Sequence, residues 1–116
     1  MTIKVGEKGQ PFRIDASFDM SGSSAMQITF TAPDGTETVL TDATTPAVTA
    51  PAVALTNDPE LGTVPASEYF EVTTTAASPF TAAGTWTACG KYTDASLELY
   101  ADLVTFEIKA QCSEAD

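Results

Sequence analysis

The sequence predicts an all-β protein, an antiparallel β-sandwich of about seven short strands. Apolar residues alternate with polar ones over short stretches, as in strands that bury one face. Clusters rich in Gly, Pro, Asp and Ser separate these stretches at the short spacings typical of a sandwich. No stretch combines helical periodicity with helix caps. A small barrel is the second architecture that fits this pattern.

The N-terminal part predicts two strands and a turn. Ile3 and Val5 would begin a short strand, and Pro11 would begin a second one at a sheet edge, because proline cannot donate to a ladder. The apolar residues that alternate along the second strand are Phe12, Ile14, Ala16 and Phe18. Residues 19–24 have turn composition, and Met20 is expected to close one end of the core.

The most regular alternation predicts a hairpin over residues 26–40. Met26, Ile28 and Phe30 would face the core. The turn is Pro33-Asp34-Gly35, in which proline presets φ and glycine accepts a positive φ. Residues 36–40 (TETVL) would return as the partner strand.

Residues 41–54 (TDATTPAVTAPAVA) leave two interpretations open. Pro46 and Pro51 argue against a central strand and against a continuous helix. The segment is either a mobile loop that projects from the sandwich or an extended edge segment that a neighbouring subunit covers. A turn cluster at 57–62 and Pro65 then delay the next strand.

The C-terminal part predicts the central hairpin of the domain. Residues 68–73 would form a strand, and a linker containing Ser78-Pro79-Phe80 would cap one end of the core. Two strands joined by a tight connection would follow over residues 83–109, with Trp86 in the first. The predicted core anchors are Phe12, Ile14, Phe18, Ile28, Phe30, Phe70, Val72, Trp86, Val104, Phe106 and Ile108. Six or seven strands at these spacings favour an immunoglobulin-like sandwich.

Length and composition predict one soluble domain over residues 1–110, with a long Thr/Ala/Pro loop region at 41–65 and a polar acidic tail at 111–116. A chain of 116 residues is too short for two cores. No apolar run approaches the ~20 residues that span a bilayer, and the first residues lack signal-peptide features. We therefore expect synthesis and folding in the cytoplasm, with Cys89 and Cys112 as free thiols.

The net charge of −11 excludes two classes of partner. Phosphate backbones are bound by Lys and Arg, which total 5 here against 16 acidic residues, so we expect no nucleic-acid partner. The same charge opposes anionic membranes. The acidic surface favours solubility, or docking onto a basic surface.

No residue pattern specifies a reaction. The sequence has no His, which argues against a zinc site or a Cys–His nucleophile. The pairs Glu68/Glu71 and Asp94/Glu98 are the carboxylates a glycosidase could use, but a short sandwich rarely encloses the necessary cleft. Asp58 with Glu60, or Asp94 with Ser96 and Glu98, offers too few oxygens for calcium. We expect no catalytic residue, metal, cofactor or small-molecule substrate.

Four aromatic residues raise an alternative function. Trp86, Tyr69, Tyr92 and Tyr100 could form a stacking platform in an adhesion or carbohydrate-binding module. Trp86 is expected in the core because it begins a central strand. Tyr100 lies near a turn and is expected to be the most exposed of the four.

Five segments in this order give the chain a family resemblance. They are Ile3-Lys4-Val5-Gly6, Phe18-Asp19-Met20-Ser21-Gly22, Ile28-Thr29-Phe30-Thr31-Ala32-Pro33-Asp34-Gly35-Thr36, Ala83-Gly84-Thr85-Trp86 and Asp102-Leu103-Val104-Thr105-Phe106-Glu107-Ile108. Together they resemble the small immunoglobulin-like domains of tailed-bacteriophage virions, found in baseplate, tail, neck and head-decorating components. The resemblance spans nearly the whole chain apart from residues 42–65.

The resemblance implies a non-enzymatic structural role in a virion, with many copies docking on other virion proteins in a symmetric assembly. Edge strands and the uncharged loop would form the docking surface. The residues expected there are Thr44, Thr45, Pro46, Ala47, Val48, Thr49, Pro51, Val53, Ile3 and Val5. Deleting residues 44–52 is then expected to abolish assembly and leave the fold intact.

Overall fold

The computed structural model describes residues 3–21, 25–75, 79–94 and 96–112. These residues form ten strands and no helix, which confirms the all-β prediction. The strands are β1 (Ile3–Lys4), β2 (Pro11–Asp15), β3 (Ala25–Thr31), β4 (Glu37–Thr41), β5 (Leu55–Asp58), β6 (Gly62–Val64), β7 (Tyr69–Thr73), β8 (Gly84–Thr93), β9 (Glu98–Tyr100) and β10 (Val104–Lys109).

A six-stranded sheet is built around β8, the longest strand. β3 pairs with β8 along one side, and β4 pairs with β3. On the other side β10 follows the first half of β8 and β9 follows the second half. β1 lies outside β10 and runs parallel to it, so this sheet is mixed rather than purely antiparallel.

Two smaller sheets complete the described part of the chain. β2 and β7 pair antiparallel, and β5 and β6 form a hairpin. The apolar faces of the β2–β7 pair and of the large sheet contribute to one buried cluster, which gives a sandwich-like arrangement. β2 has β7 as its sole ladder partner among the described residues, in agreement with the edge position predicted from Pro11.

Aromatic rings fill the space between the sheets. Phe80 comes from the linker and packs edge-to-face on Trp86 and Phe30, with ring centroids 5.5 and 5.2 Å apart. Phe12 from β2 meets Phe106 from β10 at 4.6 Å. Offset and edge-to-face ring pairs are favourable beyond the area they bury. The linker therefore supplies a core residue, in agreement with the predicted capping role of residues 79–80; Ser78 lies outside the described residues.

The predicted core anchors lie where the alternation placed them. Eight of the eleven are buried, and Phe18, Val104 and Phe106 are partly buried against the same cluster. Met20 is also buried, near the start of the segment predicted to be a turn. The hairpin predicted over residues 26–40 is present as β3 and β4, with Ile28 opposite Leu40.

The C-terminal hairpin differs from its prediction by one strand. Trp86 and Phe106 are paired neighbours on β8 and β10, as the two-strand interpretation requires. The chain does not cross directly between them, because residues 98–100 first form β9 against the second half of β8. Ten strands replace the predicted seven partly for this reason, and partly because β5 and β6 lie in the region interpreted as loop.

Residues 41–54 fold back onto this chain and do not project from it. Val48 is fully buried in the core, and Pro46, two residues earlier, is also buried. The backbone of Thr49 exchanges hydrogen bonds with that of Glu71, at 2.9 and 2.8 Å, so the segment adds a bridge to the free side of β7. Removing residues 44–52 would therefore strip a side chain from the core, and the expectation that this deletion leaves the fold intact is corrected.

Candidate docking surfaces

The ten residues predicted to dock partners do not form one exposed surface. Ile3, Pro46 and Val48 are buried within the chain, which removes them from any docking surface. Val5, Thr44 and Pro51 are half-buried, and Thr45, Ala47, Thr49 and Val53 are exposed. Val53, at 70% exposure, is the large apolar side chain of this set that reaches solvent.

A threonine-centred turn explains why the middle of the segment turns inward. The Thr44 hydroxyl accepts the backbone N–H of Thr41 at 3.0 Å and lies 2.9 Å from the Thr41 carbonyl oxygen. The N–H of Val48 donates to the same carbonyl at 3.0 Å. These bonds satisfy the backbone at the end of β4 and direct the Val48 side chain into the core. Local side-chain bonds of this kind compete with a continued strand.

The proposed aromatic platform reduces to a single residue. Trp86, Tyr69 and Tyr92 are each at most 3% exposed, whereas Tyr100 is 59% exposed. The Trp86 indole N–H donates to the Ala82 carbonyl at 2.9 Å, and the Tyr69 hydroxyl donates to the Val53 carbonyl at 2.8 Å. Their polar atoms are thus used inside the fold, and the predicted contrast between Trp86 and Tyr100 is confirmed.

Lys91, Glu98 and Tyr100 form a polar group on the outside of the large sheet. The Tyr100 hydroxyl donates to Glu98 Oε1 at 2.7 Å, and Lys91 Nζ lies 3.1 Å from the same oxygen. Lys91 Nζ also lies 5.7 Å from the centre of the Tyr100 ring. The hydrogen bond from Tyr100, then that from Lys91, lowers the pKa of Glu98, and the same contacts raise the pKa of Tyr100 and of Lys91.

A second charged group joins the β2–β7 sheet to the β5–β6 hairpin. Arg13 Nε donates to Glu71 Oε2 at 2.7 Å, and Arg13 Nη1 donates to Asp58 Oδ2 at 3.3 Å. The hydrogen bond to Glu71 is the main cause that raises the pKa of Arg13. Two of the carboxylates considered for catalysis or calcium are therefore bound to this arginine.

The calcium candidate at Asp58 and Glu60 is part of a turn that Asp58 itself closes. Asp58 Oδ1 accepts the N–H groups of Glu60 and Leu61 at 2.9 and 3.0 Å, as in a turn closed by its own aspartate. Among the described residues, no group of three or more His, Cys, Asp or Glu side chains could hold a metal ion. Cys89 is half-buried and Cys112 exposed, and neither forms a disulfide.

The large sheet presents an outward face with little charge at its centre. Its outward side chains alternate with the buried ones of β3, β4, β8 and β10. One row across the strands is Glu37, Thr31, Thr87 and Thr105, with Glu37 at the β4 edge, and the next is Val39, Thr29 and Cys89. We call this surface the outer face. The alternation of polar and apolar residues in the sequence predicts which side chains point outward. The order of the strands is needed to know which of these side chains lie next to one another.

The class of this fold is established by the structure and not by similarity to known proteins. A scan against protein-family models and searches of characterised proteins and of solved structures found no match to the chain. The residues described here contain no helix long and apolar enough to cross a membrane. The chain is thus a β-sandwich-like all-β protein.

Proposed function

We propose that this chain is a non-enzymatic structural subunit of a tailed-bacteriophage virion, with an immunoglobulin-like sandwich present in many copies. It would be made in the host cytoplasm and then incorporated into the particle, by docking on head, neck, tail or baseplate proteins. The sequence resemblance suggests this role, and the strand order is the structural observation that supports it.

The order β1-β10-β8-β3-β4 beside a separate β2–β7 pair supports an immunoglobulin-like plan. In that plan one sheet holds the third, sixth and seventh strands, and variable-type domains add strands after the third. The other sheet holds the first, second, fourth and fifth strands. We assign β3, β8, β10 and β4 to the first sheet of the plan, and β2 and β7 to the second and fifth strands. Among the described residues, no strand pairs with β2 or β7 in the positions of the first and fourth. The β5–β6 hairpin fills the connection between the added strand and the fifth.

Two further features differ from antibody-type domains. The tryptophan lies on β8, the position of the sixth strand, rather than on the third, and both cysteines are free. Phe80 packs against Trp86 and provides apolar contacts of the kind that a disulfide and its tryptophan provide elsewhere. A sandwich closed by aromatic packing suits a protein folded in a reducing compartment.

The alternative, an adhesion or carbohydrate-binding module, would depend on Tyr100 alone. A single exposed ring held by Glu98 gives a sugar one stacking contact, whereas three of the four candidate aromatic residues are in the core. The geometry therefore favours the structural role.

Particles of a virus whose genome encodes this chain provide the test. Mass spectrometry of purified virions should find the chain at a fixed copy number set by particle symmetry, and purified protein should bind saturably to particles that lack it. Bovine serum albumin at equal concentration serves as the control for non-specific adsorption. Absence of the chain from purified virions, together with no binding to the deficient particles, would refute the proposal.

A further inference from the structure

We propose that the outer face of the large sheet is a self-association surface that packs face to face on the outer face of a second copy. The inference deepens the proposed function by naming a surface and its partner. Its test uses purified protein alone, so that its failure can be distinguished from failure of the virion role.

The distribution of charge is the first argument. Three lysines, Lys4, Lys91 and Lys109, and three glutamates, Glu37, Glu98 and Glu107, point outward from this sheet, so the outer face has no net charge. The remaining two basic and thirteen acidic residues of the sequence carry the whole net charge of −11. Two copies repel each other through their acidic surfaces and can approach through this face.

Pairing of these charges within the sheet strengthens the argument. Lys91 is bound to Glu98, and Lys109 Nζ lies 2.7 Å from Glu107 Oε1. Glu37 lies on the edge strand β4, where it is the neighbour of Thr31 at the end of the first central row. A second copy would therefore meet small uncharged side chains at the centre, paired charges toward the β9 and β10 side, and Glu37 at the β4 edge.

The shape and composition of the face suit sheet-on-sheet packing. Inside the β4 edge, where Glu37 and Val39 lie, its two central rows consist of Thr29, Thr31, Thr87 and Thr105 with Cys89, and each of these side chains is short. Short β-branched side chains lose little rotamer freedom when they are covered. Val39 is 46% exposed at one edge, and Tyr100 at the other is of a residue type enriched at the energetic centres of interfaces.

The available area sets the expected affinity. Five strands abreast at about 4.8 Å, over about 25 Å of length, give about 600 Å² of planar surface on each copy. A standard stable interface buries ~800 Å² per partner. The pair should therefore be weak in solution, in the micromolar to millimolar range, and become significant where many copies are held close together.

Sedimentation analysis of the purified chain over a range of concentrations provides the measurement. The average mass should rise from 12.1 kDa toward twice that value as concentration increases. Because salt screens repulsion between acidic copies, raising the ionic strength from about 0.02 to 0.5 M should strengthen the pair. A pair held mainly by ion pairs between copies would weaken instead.

Substitutions at Thr87 distinguish a contact from a general charge effect. Both Thr87→Glu and Thr87→Lys should weaken association by about tenfold or more, since each places a charge at the centre of the interface. If only total charge mattered, the lysine variant would associate more strongly than the wild type. Thr73→Glu and Thr73→Lys, at an exposed position on β7, are the matched controls and should leave the affinity within about twofold.

The wild-type protein offers a measurement that needs no variant to fold. Cys89 lies within the interface, so its alkylation rate should fall as protein concentration rises. A chain that stays monomeric to about 1 mM, or one whose association ignores both Thr87 substitutions, would overturn the proposal. So would salt-weakened association or concentration-independent alkylation of Cys89. A monomer that nevertheless binds particles would overturn the self-association and leave the proposed virion role standing.

Discussion

Replacing Gly90 by alanine tests how the two sheets are held together. Gly90 lies on β8 opposite Ile28 of β3, and its missing side chain makes room for a ring from the other sheet. A Cβ at this position would lie 2.5, 2.7 and 3.0 Å from Cε2, Cδ2 and Cζ of Phe70. Carbon atoms in ordinary contact are about 3.5–4.0 Å apart. The ring or the strand would have to move by about 1 Å.

The surroundings of Phe70 limit that movement. Its ring is fully buried and meets the ring of Phe18 edge-on, with centroids 6.3 Å apart. Overpacking of a filled core costs about 1–3 kcal/mol, and the better strand propensity of alanine offsets about 0.5–1 kcal/mol of this. We expect a net loss of about 1–2 kcal/mol, and hence a midpoint of thermal unfolding lower by about 4–10 °C for a domain of this size.

A double-mutant cycle with Phe70→Leu identifies the cause. Leucine removes the part of the ring that the new Cβ would strike, so Gly90→Ala should cost less in the Phe70→Leu background, with a coupling energy of about 1 kcal/mol. Phe106→Leu provides the control cycle, because Phe106 is paired with Trp86, four residues away along β8. Urea unfolding measures all the variants. A neutral Gly90→Ala, or additivity with Phe70→Leu, would show that the close approach of the sheets does not govern stability here.

Two further substitutions test the inward turn of residues 44–48 and the Lys91–Glu98–Tyr100 group. Val48→Ala should lower the free energy of unfolding by about 2 kcal/mol because Val48 is fully buried, whereas Val53→Ala should change it by less than about 0.5 kcal/mol; equal effects in urea unfolding would contradict the inward turn. Tyr100→Phe removes the main cause that lowers the pKa of Glu98, so the carboxyl pKa followed by NMR should rise toward the ordinary glutamate value. In the wild type, this contact should contribute fully to stability at pH values above the ordinary glutamate pKa. Its contribution should be lost as the pH falls through the lowered pKa of Glu98. The Tyr100→Phe variant should lack this pH-dependent contribution.

Local chemistry explains the elements that the sequence could predict. The hairpin of β3 and β4 follows from strict alternation on both sides of Pro33-Asp34-Gly35, where Gly35 has a φ of 91°. The Asp34 side chain accepts the N–H of Thr36 at 2.9 Å, which is a contact within the turn itself. Neither feature depends on distant parts of the chain, so the sequence was sufficient for this hairpin.

The elements that were missed depend on partners far along the chain. β9 is three residues long, so its alternation of exposed and half-buried residues is too short to distinguish a strand from a turn. It forms because β8 extends beyond the end of β10 and offers β9 a partner. The β5–β6 hairpin is tied by Asp58 to Arg13, which lies 45 positions earlier. Short strands stabilised by such contacts leave little periodic signal in the sequence.

The inward turn of residues 44–48 changes which surface is available for assembly. An uncharged segment is free to contact a partner only if its own fold does not use it, and here Val48 and Thr49 complete the core and the free side of β7. The low charge of this segment is then explained by burial and by backbone pairing within the chain. The outer face of the large sheet combines neutrality with exposed Thr, Val and Tyr side chains. Since the strands beneath it are fixed by the core on their other side, that face can be covered by a second copy without any rearrangement of the fold.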